Sequence, residues 1–194
     1  MKLRSTYYQQ EDVVKLASDL LGKVLVTKLN GKITSGIITE TEAYNGICDK
    51  ASHAFGGKRT TRTETMYAKG GISYIYLCYG IHYLFNIVTG KKNVPHAVLI
   101  RAIQPLQGLD LILQRRNAQK LSPKLCVGPG KVSSALNIST KQNAISLSGN
   151  SIWLEDDNIN INRSQILVGP RIGVDYAGED AELPYRFLVK DYKI

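Results

Sequence analysis

Apolar residues along this chain recur with two different periods, and each change of period marks an element. From Glu11 to Leu21, Val13, Val14, Leu16, Ala17, Leu20 and Leu21 fall at steps of three and four. That spacing predicts an amphipathic helix, closed by Gly22 where a residue with positive φ is wanted. K-V-L-V-T-K-L (Lys23 to Leu29) then reads as a strand. Asn30-Gly31 is a turn signal, and Ile33 to Glu42 returns antiparallel. Residues 45–71 lose the period and gather glycines, which predicts a long loop with at most a helical turn. A connection of that length is uncommon in a compact domain unless it has a task.

Alternation resumes in Ser73 to Cys78 and His82 to Val88, a second hairpin whose tip presents Tyr79 and Ile81. Ala97 to Ile103 reads as a strand buried on both faces, and Pro105 to Arg116 as a helix opening after proline. Gly128-Pro129-Gly130-Lys131 precedes V-S-S-A-L, a short helix with a glycine-rich entrance. Shorter strands are expected at Ser151 to Leu154, Ile166 to Val168 and Phe187 to Val189. With no repeat, low-complexity tract or linker, residues 1–194 read as one compact α+β domain. Its sheet is expected to be mainly antiparallel.

Composition adds little to that picture until charge is counted. The 194 residues are 43% hydrophobic and 21% charged, ordinary for a soluble globular protein. No apolar run reaches the ~20 residues that cross a bilayer, and no apolar leader follows Met1, so an intracellular protein is expected. The 25 Lys and Arg exceed the 16 Asp and Glu by nine, with a pI near 9.4. An excess of that size favours polyanionic partners, because each neutralised phosphate releases condensed counterions. Cys48, Cys78 and Cys126 are odd in number and lack C-x-x-C spacing, which suggests neither a disulfide framework nor a zinc site.

The candidate chemistry is concentrated between Ile38 and Asn86. On an alternating strand Glu40 and Glu42 share a face roughly 7 Å apart, with Tyr44 next on that face. Such a pair could act as acid and base on a glycosidic bond, or could simply line the polar side of a half-exposed strand. Five of the 11 tyrosines, Tyr67, Tyr74, Tyr76, Tyr79 and Tyr83, crowd the hairpin region. Their rings could stack on bases or hold cations, or could be ordinary strand-edge packing. His53, His82 and His96 lack metal-ligand spacing. Gly128 to Lys131 could cradle a phosphate, and Gly56 to Arg62 is a second flexible basic segment.

Taken together, these residues resemble the alkyladenine (3-methyladenine) DNA glycosylases. The resemblance is carried by E-T-E-A-Y (Glu40 to Tyr44), A-S-H (Ala51 to His53) and Y-I-Y-L-C-Y-G-I-H-Y-L-F-N (Tyr74 to Asn86). L-I-R-A (Leu99 to Ala102), G-P-G-K (Gly128 to Lys131) and P-R-I-G-V (Pro170 to Val174) complete it. Each motif is weak alone, but all six in order over nearly the whole chain are specific.

The resemblance implies a curved sheet with a protruding DNA-inserting β-hairpin and flanking helices. It also implies roles. Glu42 would be the general base, with Arg101 and the Ile172 carbonyl helping to hold the attacking water. Tyr44 on one side, and His53 with Tyr76 on the other, would sandwich a flipped base, with Asn86 at its edge to disfavour guanine. Tyr79 would fill the vacated stack with Ile81 beside it, while Thr60, Arg62 and Lys131 would lie along the DNA backbone. Glu40 would have no catalytic part, which discards the acid/base pair reading. The implied activity is monofunctional release of alkylated purines such as 3-methyladenine and 7-methylguanine from double-stranded DNA. Hypoxanthine and ethenoadenine are further candidate substrates. No metal, organic cofactor or lysine Schiff base is implied, and the expected form is a monomer in the cytoplasm or nucleoid.

Two stretches depart from the family pattern. T-T-R-T (Thr60 to Thr63) replaces the usual T-P-R-N, and Asp180 stands where an aromatic usually follows A-G-E. Two other readings stay open on residues alone. One is a non-catalytic binder of damaged DNA or structured RNA, and the other is a small-molecule nucleoside hydrolase.

Overall fold

The computed structural model describes residues 1–190. Its organising element is the 13-residue strand β2 (Lys32–Tyr44), against which three other strands pair. β1 (Val24–Leu29) covers one edge of β2 as far as Ile37, and the short β8 (Arg186–Val189) takes over that edge from Glu40 to Glu42. β5 (His96–Gln107) lies along the other edge. β3 (Ile72–Cys78) and β4 (His82–Thr89) extend the sheet beyond β5. β6 (Ile152–Glu155) borders β1, and β7 (Ile166–Gly169) borders β8. The result is an α+β fold built on one curled, antiparallel half-barrel sheet.

Irregularities in the β2–β5 pairing shape the site. Partners run Ile38 with Ile103, then Glu40 with Ala102, then Thr41 with Ile100. Thr39 on β2 and Arg101 on β5 are therefore skipped, one on each strand. Such bulges bend a strand and re-aim the extra side chain. Here the re-aimed side chain is Arg101, which turns toward Glu40 and Glu42.

The first helix, α1 (Val13–Asp19), is capped by Asp12, whose carboxylate accepts from the Lys15 amide at 2.8 Å. It buries Val13, Leu16 and Ala17 against the sheet, worth roughly 2 kcal/mol for a large aliphatic side chain. Gly22 follows at φ +82°, as the spacing predicts. α2 (Leu109–Arg115) and α3 (Pro129–Ala135) add Ile112, Val132 and Ala135 to the same core.

The helix expected from Pro105 is corrected by the structure. Residues 105–107 are the end of β5, with Pro105 opposite Gly36, and the helix begins only at Leu109 after Gly108 at φ +74°. β4 pairs only with residues 96–99, so proline's missing N–H falls on an edge where no strand needs it. The long loop also has more structure than its sequence suggests. Three 3₁₀ turns, Gly46–Cys48, Phe55–Gly57 and Glu64–Tyr67, fold it over a small core of Ala54, Met66, Tyr67, Tyr74, Val88 and Ala97. Among the described helices none is long and apolar enough to cross a membrane.

Candidate active site

A cleft of about 1170 Å³ opens at the C-terminal end of β2, where Tyr44 lines it. Tyr44, His53, Arg62, Tyr76, Tyr79 and Ile81 line it, as do Asn86, Arg101, Lys131 and Ile172. Ten residues singled out from sequence thus converge on one cavity. Glu42 and Thr60 are not part of its lining, for different reasons.

Glu42 lies beneath the lining, with no solvent exposure. Its Oε1 accepts from the Ile172 amide at 2.8 Å and its Oε2 from the Tyr44 hydroxyl at 2.9 Å. Arg101 faces both oxygens at 3.4 Å. The shorter bond of Arg101, 3.0 Å from Nε, goes to Glu40, which is also 3.5 Å from Arg186. Both carboxylates are buried, so the half-exposed strand reading of Glu40 and Glu42 is overturned. Burial pushes the Glu42 carboxyl above the usual range, with Glu40 adding to the rise. Arg101, the Ile172 amide and the Tyr44 hydroxyl oppose it. Burial and the adjacent Glu42 push the Tyr44 phenol far up, so it stays a neutral donor. A carboxylate held this way can take a proton from a water at the cleft floor.

The walls are aromatic. His53 meets Tyr76 edge-on, ring centroids 4.7 Å apart, and its Nδ1 lies 2.8 Å from the Tyr74 hydroxyl. Its Nε2 is 3.3 Å from Arg62, which also sits over the Tyr76 ring at 4.7 Å. A guanidinium only donates, so Nε2 is the acceptor and Nδ1–H donates to Tyr74. Burial, with Arg62 and Lys58, pushes the His53 pKa down to about 4, leaving a neutral ring at neutral pH. Such walls can stack a flat heterocycle and favour a cationic one. Asn86 is buried beside them, both amide hydrogens donated to the carbonyls of Tyr74 and Leu84 at 3.1 and 3.2 Å.

The rim carries the hairpin and the basic residues. Cys78 to Ile81 close β3 to β4 through a 3.1 Å bond from the Ile81 amide to the Cys78 carbonyl. Tyr79 and Gly80 both have positive φ, +50° and +72°. Tyr79 is 90% exposed and Ile81 71%. The Lys131 ammonium rests on the Lys124 carbonyl at 3.1 Å, at the start of α3. Thr60 lies outside the cleft, where its amide donates to the Thr63 hydroxyl at 2.8 Å. Thr63 is buried and its hydroxyl donates to the Lys58 carbonyl at 3.0 Å, so this loop is fastened without proline. Asp180, the other departure, accepts from the Lys50 amide at 2.7 Å.

Sequence reasoning missed Tyr74 as the partner of His53. It also missed the buried pair of Asp49 and Arg171 directly behind the site, 122 residues apart in the chain. The P-R-I-G-V motif was a signal for Arg171, but nothing local pointed to Asp49.

Residues 6–193 match the family model described as methylpurine-DNA glycosylase. A Chlamydia felis protein is 51% identical over 189 residues, covering 96% of this chain and 95% of its own. One from Clostridium acetobutylicum is 40% identical over 201 residues, covering 100% of this chain and 96% of its own. Both are provisionally named 3-methyladenine DNA glycosylase. A chain matched from end to end by such relatives, with a buried carboxylate under an aromatic cleft, belongs to the methylpurine-DNA glycosylase family and is a DNA-repair glycosylase, a hydrolase of N-glycosidic bonds.

Proposed function

We propose that this protein removes alkylated purines, 3-methyladenine and 7-methylguanine among them, from duplex DNA by flipping the damaged nucleotide into the cleft. The observation that carries the reading is the setting of Glu42, sealed from bulk water yet separated from the cleft only by residues that line it. Extrusion is needed because the sugar of a stacked base cannot be attacked, and it costs a few kcal/mol. Tyr79, standing out on its hairpin with Ile81, fills the vacated stack and offsets part of that cost. Thr60, Arg62 and Lys131 contact phosphates, which the net charge of +9 favours.

Tyr44 packs on one face of the flipped base and His53 with Tyr76 on the other. A cationic base gains on the order of 1–2 kcal/mol from such rings. Both Asn86 hydrogens are already donated, so that side chain is fixed and excludes the guanine 2-amino group by bulk. Glu42 takes a proton from a water held with Arg101 and the Ile172 carbonyl. The water oxygen bonds to the anomeric carbon, and the glycosidic electron pair leaves with the base. An alkylated purine already carries positive charge, so its departure needs no strong acid.

The test is base release from duplexes that each carry one lesion: 3-methyladenine, 7-methylguanine, ethenoadenine or hypoxanthine. Glu42→Gln is expected to retain duplex binding and lose release by roughly 10²–10⁴-fold, the range general bases contribute. Equal release by variant and wild type would remove Glu42 from the mechanism and leave a protein that binds damaged DNA through the same surface.

A further inference from the structure

The proposed reaction gives Ile172 of the P-R-I-G-V motif a part but leaves its neighbour Arg171 without one. The Arg171 side chain is fully buried, as is that of Asp49. The two are joined by a fork of bonds, 2.5 Å from Nη1 and 2.9 Å from Nη2. Nη1 also donates to the Ala43 carbonyl and Nη2 to the Asp180 carbonyl, each at 3.0 Å. Asp49 in turn accepts from the amides of Asn45 and Ala51, both at 2.9 Å. The guanidinium packs over the Tyr44 ring at 4.9 Å and the Tyr185 ring at 5.2 Å.

Two of these contacts, to the Ala43 carbonyl and to the Tyr44 ring, fall at or beside a group that touches Glu42. Ala43 lies between Glu42 and Tyr44, and Ile172, whose amide holds Glu42 Oε1, follows Arg171 directly. A fully buried ion pair is seldom the most stabilising filling for its space, since desolvating two charges cancels most of their attraction. Its value here is positional and electrostatic. The fork fixes the backbone on both sides of the carboxylate, and Asp49 neutralises a cation that lies against the Tyr44 ring.

We propose that Asp49 and Arg171 form a positioning pair, which locks the Ile172 peptide and Tyr44 around Glu42 and keeps that wall electrically neutral for a cationic base. This rests on Glu42 being the base. Arg171 acts through Ile172 and Tyr44 and touches no reacting atom. Neutrality matters because an unpaired guanidinium behind Tyr44 would repel an alkylpurinium stacked in front of it. The same free charge would favour ionised Glu42.

The test is single-turnover base release against pH, using duplexes that carry either 7-methylguanine, a cation, or ethenoadenine, which is neutral. Besides the pair, Glu42 is faced by Glu40 and Tyr44 on its own strand, by Arg101 from β5 and by the Ile172 amide. Arg186 of β8 stands opposite it in register and neutralises Glu40. None of these is altered in the variants.

Asp49→Asn keeps the shape and frees the cation. Its acid limb is expected to move to lower pH by about half a unit or more, with 7-methylguanine release reduced more than ethenoadenine release. Arg171→Gln releases the Ile172 amide and removes the cation, so its acid limb moves the opposite way. Arg171→Lys keeps the charge without the fork, so its rate is expected to fall about tenfold with the limb near that of wild type. Asp49→Asn and Arg171→Lys decide the matter if Arg171→Gln does not fold. Lowered melting temperatures with wild-type rates and limbs would make the pair structural only and overturn the proposal, as would shifts of the same sign in both charge variants. Failure of the Glu42 reading is distinct, because it appears as undiminished release by Glu42→Gln whatever the pair does.

Discussion

The Ile172 amide donates to Glu42 Oε1 at 2.8 Å, joining residues 130 positions apart in the chain. This bond joins the segment after β7 to the middle of the sheet and gives one carboxylate oxygen a fixed neutral donor. The other oxygen is held by the Tyr44 hydroxyl. Both donors favour the ionised form, yet burial outweighs them and the carboxyl sits above its usual range.

The sign of that imbalance makes the first prediction. Base release should rise with pH along an acid limb placed above the ordinary carboxylate range, because only ionised Glu42 accepts a proton. Folded Glu42 binds its proton more tightly than the unfolded chain does, so its contribution to stability is present at low pH and lost as pH rises through the raised value. Glu42→Gln removes that loss, so its melting temperature at neutral pH should equal or exceed that of wild type while activity collapses. Calorimetry beside the release assay checks both.

His53 gives the opposite pH dependence. Its pKa is pushed from 6.5 down to about 4, so the folded state binds fewer protons than the unfolded state between those values. Stability should therefore fall as pH drops through that window, by roughly 3 kcal/mol once complete. His53→Gln should lose this part of the acid sensitivity. Arg62→Ala, by removing a nearby cation, should raise the His53 titration midpoint measured by NMR.

Tyr79 is held at φ +50°, where a side chain costs about 1 kcal/mol relative to glycine. It is also 90% exposed, so little packing compensates. Tyr79→Gly should leave the melting temperature unchanged or raise it by about 1–3 °C. Release should fall by roughly tenfold or more for a well-paired lesion, and by less for the same lesion in a mismatch, where flipping costs less. Equal losses on the two duplexes would argue against insertion.

Lys131 rests on a backbone carbonyl, and the proposed function has it contact a phosphate. Lys131→Ala should weaken binding to all duplexes by a similar factor. It should also reduce the slope of log affinity against log salt by about 0.9, the value of one phosphate contact. Fluorescence anisotropy titrations between 50 and 200 mM salt measure this.

Much of the site was legible in the chain because its elements are local. Alternation on β2 puts Glu40, Glu42 and Tyr44 on one face, and Tyr79-Gly80 between two alternating runs marks a hairpin tip. The six motifs carried the family resemblance, and with it the proposed roles, which periodicity cannot give. Pro105 misled because proline opens helices more often than it closes strands, and the unpaired edge that accepts it is a property of the sheet.

Periodicity reports which face a residue occupies, but neither its depth nor what meets it there. Whether Glu42 is solvated or sealed depends on β5, β8 and the Ile172 segment arriving over it from later in the chain. The aim of Arg101 depends on a skipped register position, and the partner of Arg171 depends on closing a span of 122 residues. The sequence by itself determined most of the elements, the excess of positive charge and most of the residues that could do chemistry, since these follow from local spacing and composition. Only the tertiary structure decided that one of the two glutamates is held by the Ile172 amide and the Tyr44 hydroxyl, and the other chiefly by Arg101 and Arg186. That division is set by desolvation and long-range hydrogen bonding, which exist only once the chain has closed on itself.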